Sequence, residues 1–207
     1  MPTASGTATS EAGCRHTATP PHRRTVTPSH RHTVTLPHCH TATPHPKIRK
    51  VTIELIVIGK TDSKEVAALV EQYARRIDFY CRFRFTVLPD VRNTRSLSEK
   101  QQRTAEGEAI LRQLTEGDYV ALLDEHGTEY RSVEFAAWLQ KRMNSGMKRL
   151  VLVIGGPYGF SEAVYARADA RLSLSKMTFS HQIVRALFAE QLYRAFTILN
   201  NEPYHHE

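Results

Sequence analysis

The feature that most narrows the fold is a succession of short apolar runs, each stopped by glycine or polar residues and followed by a stretch of helical periodicity. "VTIELIVIGK" (residues 51–60) is β-branched, mostly apolar and closed by Gly59, and "KRLVLVIGG" (148–156) repeats the pattern. These runs read as buried strands, and they fall far short of the roughly 18 apolar residues a membrane-spanning helix needs. "FRFTVLPD" (83–90) alternates and ends at Pro89, "DYVALLDEHG" (118–127) holds its polar residues at its carboxyl end, and "RLSLS" (171–175) makes a short fifth strand. In "SKEVAALVEQYARRIDFY", Val66, Leu69, Val70, Tyr73 and Ile77 share one helical stripe, with Asp62 or Ser63 placed to cap it. Further helices are expected up to about Leu114, over "SVEFAAWLQKRMN", from about Ser161 to Arg167, and from His181 to Leu199. Strands that alternate with helices and are apolar on both faces specify an α/β domain, its largely parallel sheet flanked by helices. Ligands of such sheets bind beyond the carboxyl ends of strands, which here are residues 123–125, 154–156 and 174–177.

Composition divides the chain in two. Residues 1–46 contain seven of the eleven His, seven of the ten Pro, four Arg and one Glu, with few large apolar side chains. Thr-Ala/Val-Thr recurs there at Thr17, Thr25, Thr33 and Thr41, an eight-residue repeat too poor in apolar surface to offset the entropy of ordering. The stretch is expected to be disordered, and residues 47–207 to form the folded domain. Its 24 basic residues (28 minus 4) against 20 acidic ones (21 minus 1) permit a nucleic-acid partner without requiring one. Two of the three cysteines, Cys14 and Cys39, lie in the repeat, leaving Cys81, so no disulfide framework exists and a reducing cytoplasm is expected. His30, His32, His38, His40 and His45 beside Cys39 have metal-ligating chemistry but no core to fix them; the domain holds no His/Cys cluster, and no metal is expected.

The segment "LVLVIGGPYGFSE" (150–162) runs from a strand into glycines, as phosphate-binding loops do. A P-loop would end in Gly-Lys-Ser/Thr, whereas this one has Gly-Phe-Ser. A dinucleotide fingerprint would follow the first strand of a βαβ unit and precede an acid for the ribose, whereas this loop comes late in the chain.

"IGGPYGF", "LSLSKMTFSHQIVRALFAEQLYRAF" and the terminal "NNEPYHHE", in that order, closely resemble the RlmH family of large-subunit ribosomal RNA methyltransferases in the SPOUT superfamily, over residues 48–207. The resemblance implies a SPOUT-type α/β fold with a C-terminal trefoil knot, against the general rarity of knots. It implies a homodimer, S-adenosylmethionine as methyl donor, and methylation of N3 of a pseudouridine in 23S ribosomal RNA, free or in the assembled ribosome. It assigns the cofactor pocket to Leu123, Gly155, Leu174, Ser175, Lys176, Met177, Thr178 and Phe179. Apolar Leu123, Leu174 and Met177 suit the faces of an adenine, and Gly155 and Gly156 leave room where a Cβ would meet the ligand. The repeat has no counterpart in the family.

Methyl transfer to nitrogen is a direct displacement, so the nucleophile must be held in line and N3 must lose its proton. His181 is the nearest candidate base, a capping or packing role being its alternative. Arg194 has Glu190 one turn earlier as an ion-pair partner, while Arg185 has no such neighbour and is expected at an RNA phosphate. Tyr204 and His205, with His206, are expected to stack on an extruded base and complete the active site of the partner subunit. The rival readings are an RNA-binding module without catalysis and a nucleotide hydrolase; the latter would need a Walker lysine, a carboxylate cluster or a serine nucleophile elbow, all missing from the sequence.

Overall fold

The computed structural model describes residues 51–91 and 96–205. The repeat, with its histidines and two cysteines, lies outside them, as do Arg92, Arg95 and His206. Five parallel strands, β1 (Thr52–Ile58), β2 (Arg82–Leu88), β3 (Tyr119–Glu129), β4 (Arg149–Ile154) and β5 (Ala170–Ser173), form one sheet in the order β2-β1-β4-β3-β5. Five helices connect them: α1 (Lys64–Ile77), α2 (Glu99–Leu111), α3 (Ser132–Met143), α4 (Glu162–Arg167) and α5 (Ile183–Leu199).

The apolar runs place themselves as their patterns require. β1 and β4 are central and buried on both faces, whereas β2, at one edge, exposes Arg82 and Arg84 and tucks in Phe83 and Phe85. Alternate side chains feed two cores. Ile53, Leu55, Val57, Leu150, Leu152 and Ala121 pack under α1, α3 and α5, while Ile56, Val151, Val153 and Leu122 pack under α2 and α4. Ser63, rather than Asp62, caps α1 by accepting from Val66 N at 3.2 Å. Of the stripe expected on α1, Val70 and Ile77 are buried, but Leu69 is turned outward.

At the amino ends of the strands, Arg149 joins Glu54 (3.1 Å) and Asp118 (3.3 Å), and Thr86 Oγ1 donates to the other Glu54 oxygen at 2.6 Å. This closes the base of the sheet and leaves the carboxyl end open for a site. Among the described residues, no helix is long and apolar enough to cross a membrane.

Candidate functional site

The carboxyl ends of β3, β4 and β5 open onto a cavity of about 730 Å3, within the range that encloses a nucleoside-sized ligand. Each strand contributes one wall, and each wall has a local cause.

The β3 wall is a bulge. Leu172 on β5 is in register with both Leu123 and Thr128, so residues 124–127 leave the ladder and carry Asp124, Glu125 and His126 into the cavity lining. Gly127 makes the bulge possible, since a Cβ there would come within 2.6 Å of the Leu172 backbone. Asp124 Oδ1 accepts from His126 N at 3.0 Å, and the Tyr165 hydroxyl, beside the same carboxylate, is pushed up to about 12, chiefly by burial.

The β4 wall is the glycine loop, residues 155–160, in which Gly159 N donates to Gly156 O at 3.2 Å and Gly159 has a φ of 76°. The reason for glycine at 155 and 156 differs from the sequence expectation. A Cβ on Gly155 would press on the Phe160 ring at 3.1 Å, and one on Gly156 would land on the Glu106 carboxylate, so protein side chains occupy that space first.

The β5 wall is the segment after Ser173. Ser173 Oγ donates to Ser175 O, Met177 N donates to Ser175 Oγ, and Thr178 Oγ1 reaches across to Glu125 Oε2 at 3.3 Å. Leu174, Ser175, Met177, Thr178 and Phe179 line the cavity with Leu123 and Gly155; Lys176 is exposed and lies outside the lining.

His181 closes this wall, half-buried, with Nε2 3.2 Å from the Gln182 amide nitrogen. Burial first, then the Arg185 charge, lowers its titration below the ordinary 6.5. That shift favours the uncharged imidazole at the cavity edge.

Arg185 is a correction. It is fully buried, and its guanidinium donates to Ile58 O (2.5 Å), Gly59 O (2.9 Å), Thr61 Oγ1 (3.0 Å) and His181 O (3.0 Å). Buried and with four of its five N–H donors engaged, it ties α5 to the residues that end and follow β1 rather than facing a phosphate. Gln182 adds a second tie, donating to Lys60 O and accepting from Asp62 N.

Arg194 pairs with Glu190 at 2.6 Å, as the spacing on α5 requires. Tyr204 and His205 do not line the cavity. Tyr204 lies back along α5: its hydroxyl donates to Glu190 at 3.0 Å, its ring lies 4.9 Å from the Arg194 guanidinium, and it meets Tyr193 edge-on. His205 is half-buried beside it in sequence.

The lining also contains residues that the sequence reading passed over. Glu99 and Arg103 reach it from α2, where Arg103 is half-buried in a helix that walls the site. The available signal was the i, i+4, i+7 spacing of Glu99, Arg103 and Glu106, a single helical face. Among the described residues no group of three His, Cys, Asp or Glu is placed to hold a metal.

The site is thus an α/β one, a parallel sheet whose last three strands end in loops around one cavity, the last leading into a long terminal helix. Residues 51–205 match the sequence pattern described as "Predicted SPOUT methyltransferase", and the chain belongs to that family. Within it, the chain is 58% identical to a protein of Christiangramia forsetii named ribosomal RNA large subunit methyltransferase H, over 75% of this chain and 99% of the relative. Proteins of the same name from Flavobacterium johnsoniae (55% identical, 76% of this chain and 100% of the relative) and Parabacteroides distasonis (56%, 75% and 99%) are similar throughout the same region.

Proposed function

We propose that this protein methylates N3 of a pseudouridine in 23S ribosomal RNA, with S-adenosylmethionine as donor, as a cytoplasmic homodimer whose C-terminal segment is knotted. The observation that carries the reading is the joint cavity: seven of the eight residues expected to hold the cofactor come from three separate strand ends and line one space. The extent of the similarity to proteins named as large-subunit ribosomal RNA methyltransferases supports the substrate.

The residues present fit the donor. Leu123, Leu174 and Met177 offer apolar faces to a purine, the glycine loop offers close backbone, and Ser175 and Thr178 offer hydroxyls. The bound donor supplies an electrophilic methyl on a sulfonium. Neutral His181, at the cavity edge, takes the N3 proton as the nitrogen attacks, and Arg185 holds its backbone in place through the His181 carbonyl.

Two observations support a dimer. Met177, Phe179, Ile183 and Leu187 are exposed apolar side chains on the segment that runs from the cavity loop into the first turns of α5. The tail, meanwhile, is anchored at Glu190 and Arg194, away from its own cavity, where Tyr204 and His205 serve a neighbouring copy better than their own.

The test is mass spectrometry of ribosomal RNA from cells with and without the gene. One methyl group on one 23S pseudouridine should disappear with the protein; unchanged RNA would refute the assignment.

A further inference from the structure

Glu106 sits on α2 directly behind the glycine loop. It is 3% exposed, and its carboxylate fills the space where a side chain at Gly156 would begin: a Cβ there would lie 2.5 Å from Oε2 and 2.7 Å from Oε1. The next residue reciprocates, since a Cβ on Gly107 would lie 2.2 Å from Ser161 Oγ. Helix and loop thus interlock through two glycines, each leaving room for a polar side chain of the other.

An amide or an apolar group of the same size would serve that interlock at lower cost. Oε1 accepts from Gln102 Nε2 at 2.8 Å, but Oε2 is buried without a hydrogen bond, and among the described residues no cation pairs with the carboxylate. Burial, and to a lesser degree the like charge of Asp90, raise its titration above the ordinary 4.5, with Gln102 opposing. A buried acceptor left this way calls for an explanation.

On the reading that the cavity holds S-adenosylmethionine, we propose that Glu106 is its counter-charge, a carboxylate one residue behind the wall that makes the site favour a sulfonium cation over the neutral thioether left after transfer. Gly156 is part of the cavity lining, so a single backbone separates Glu106 from the ligand space. Attraction between opposite charges on the two sides of one backbone, at an effective dielectric near 20, alters binding on the order of tenfold or more. When the methyl moves to nitrogen, the carbon–sulfur bond breaks and its electron pair remains on sulfur. The positive charge at sulfur is lost, and so is the attraction, which favours release of the product. Asp124 and Glu125 also bring negative charge to the lining, but they touch the ligand space, so replacing them removes contacts together with charge. Glu106 supplies charge alone.

The experiment is calorimetric titration of the full chain and of Glu106→Gln with S-adenosylmethionine and, separately, with S-adenosylhomocysteine. The variant should bind the sulfonium on the order of tenfold more weakly and the thioether within about twofold of the parent. Equal weakening of both ligands would reduce Glu106 to a packing role, and no change in either would remove its charge from the account. If the variant unfolds, Glu106→Leu keeps the bulk without polar atoms and should give the same selective loss. Failure of the parent to bind either ligand would instead contradict the donor assignment itself.

Discussion

Arg185 and His181 are joined twice: Arg185 Nε donates to the His181 carbonyl at 3.0 Å, and the guanidinium charge helps to hold the imidazole below its usual titration. Replacing Arg185 by Ala strands the carbonyls of Ile58, Gly59 and His181, and should cost about 3 kcal/mol of stability. Arg185→Lys cannot reproduce a fork that serves four acceptors. Denaturant unfolding measures the loss, and a drop under about 0.5 kcal/mol would contradict the latch.

The depressed titration of His181 sets the acid side of the rate profile. Because the neutral form persists below the ordinary 6.5, the acid limb of kcat against pH should lie under 6.5 and vanish in His181→Ala. A limb above 6.5, or an unchanged rate in the variant, would take His181 out of the role of base.

The interlock of α2 with the glycine loop predicts that neither glycine tolerates a methyl. Gly156→Ala collides with Glu106, and Gly107→Ala with Ser161, each for a cost of about 1–3 kcal/mol in thermal or denaturant unfolding. Combining Gly156→Ala with Glu106→Ala should recover part of the loss, because the second change vacates the space the first invades. Strict additivity would contradict the collision.

Glu106 also makes stability depend on pH. Its folded titration is raised above the unfolded value near 4.5, so the folded state favours the protonated carboxyl; that contribution is full below the unfolded value and lost as pH rises through the folded one. Glu106→Gln should therefore melt at or above the parent temperature at pH 7, the advantage shrinking as pH falls toward 4.5, with Asp90 and Gln102 as the groups that face it. A variant less stable at pH 7 than at pH 5, relative to the parent, would reverse the sign.

Removing residues 203–207 deletes the contacts of Tyr204 with Glu190, Arg194 and Tyr193, worth about 1–2 kcal/mol in all. The domain should remain folded by circular dichroism while methylation is lost, and mixing the truncated chain with a chain lacking the cavity residues should restore partial activity through the hybrid dimer. Full activity of the truncated chain alone would contradict a catalytic tail.

The sheet was legible because its signals are local. The five apolar runs and their stops name the strands, and the burial of β1 and β4 on both faces follows from their composition. The three strand ends that form the cavity could be marked in advance because parallel sheets bind ligands there. What escaped was non-local. Nothing adjacent to Arg185 announces that it will reach Ile58 and Gly59, more than a hundred positions away, and its apparent lack of a partner was an effect of looking only along its own helix. The bulge at Asp124 depends on register with Leu172 across the sheet, and the glycines at 107 and 156 reveal their reason only when α2 meets the loop. Leu69 fits the apolar stripe of α1 by spacing, yet the helix packs through Val70 and Ile77, one position around.

On the proposed function, the loops ending β3, β4 and β5 enclose the methyl donor. A crystal structure of the full chain grown with S-adenosylmethionine tests it most directly. The adenine should lie between Leu123 and Leu174, with the sulfonium near the glycine loop and the methyl facing His181. Donor density anywhere outside that cavity, or a cavity without donor density at saturating donor, would contradict it.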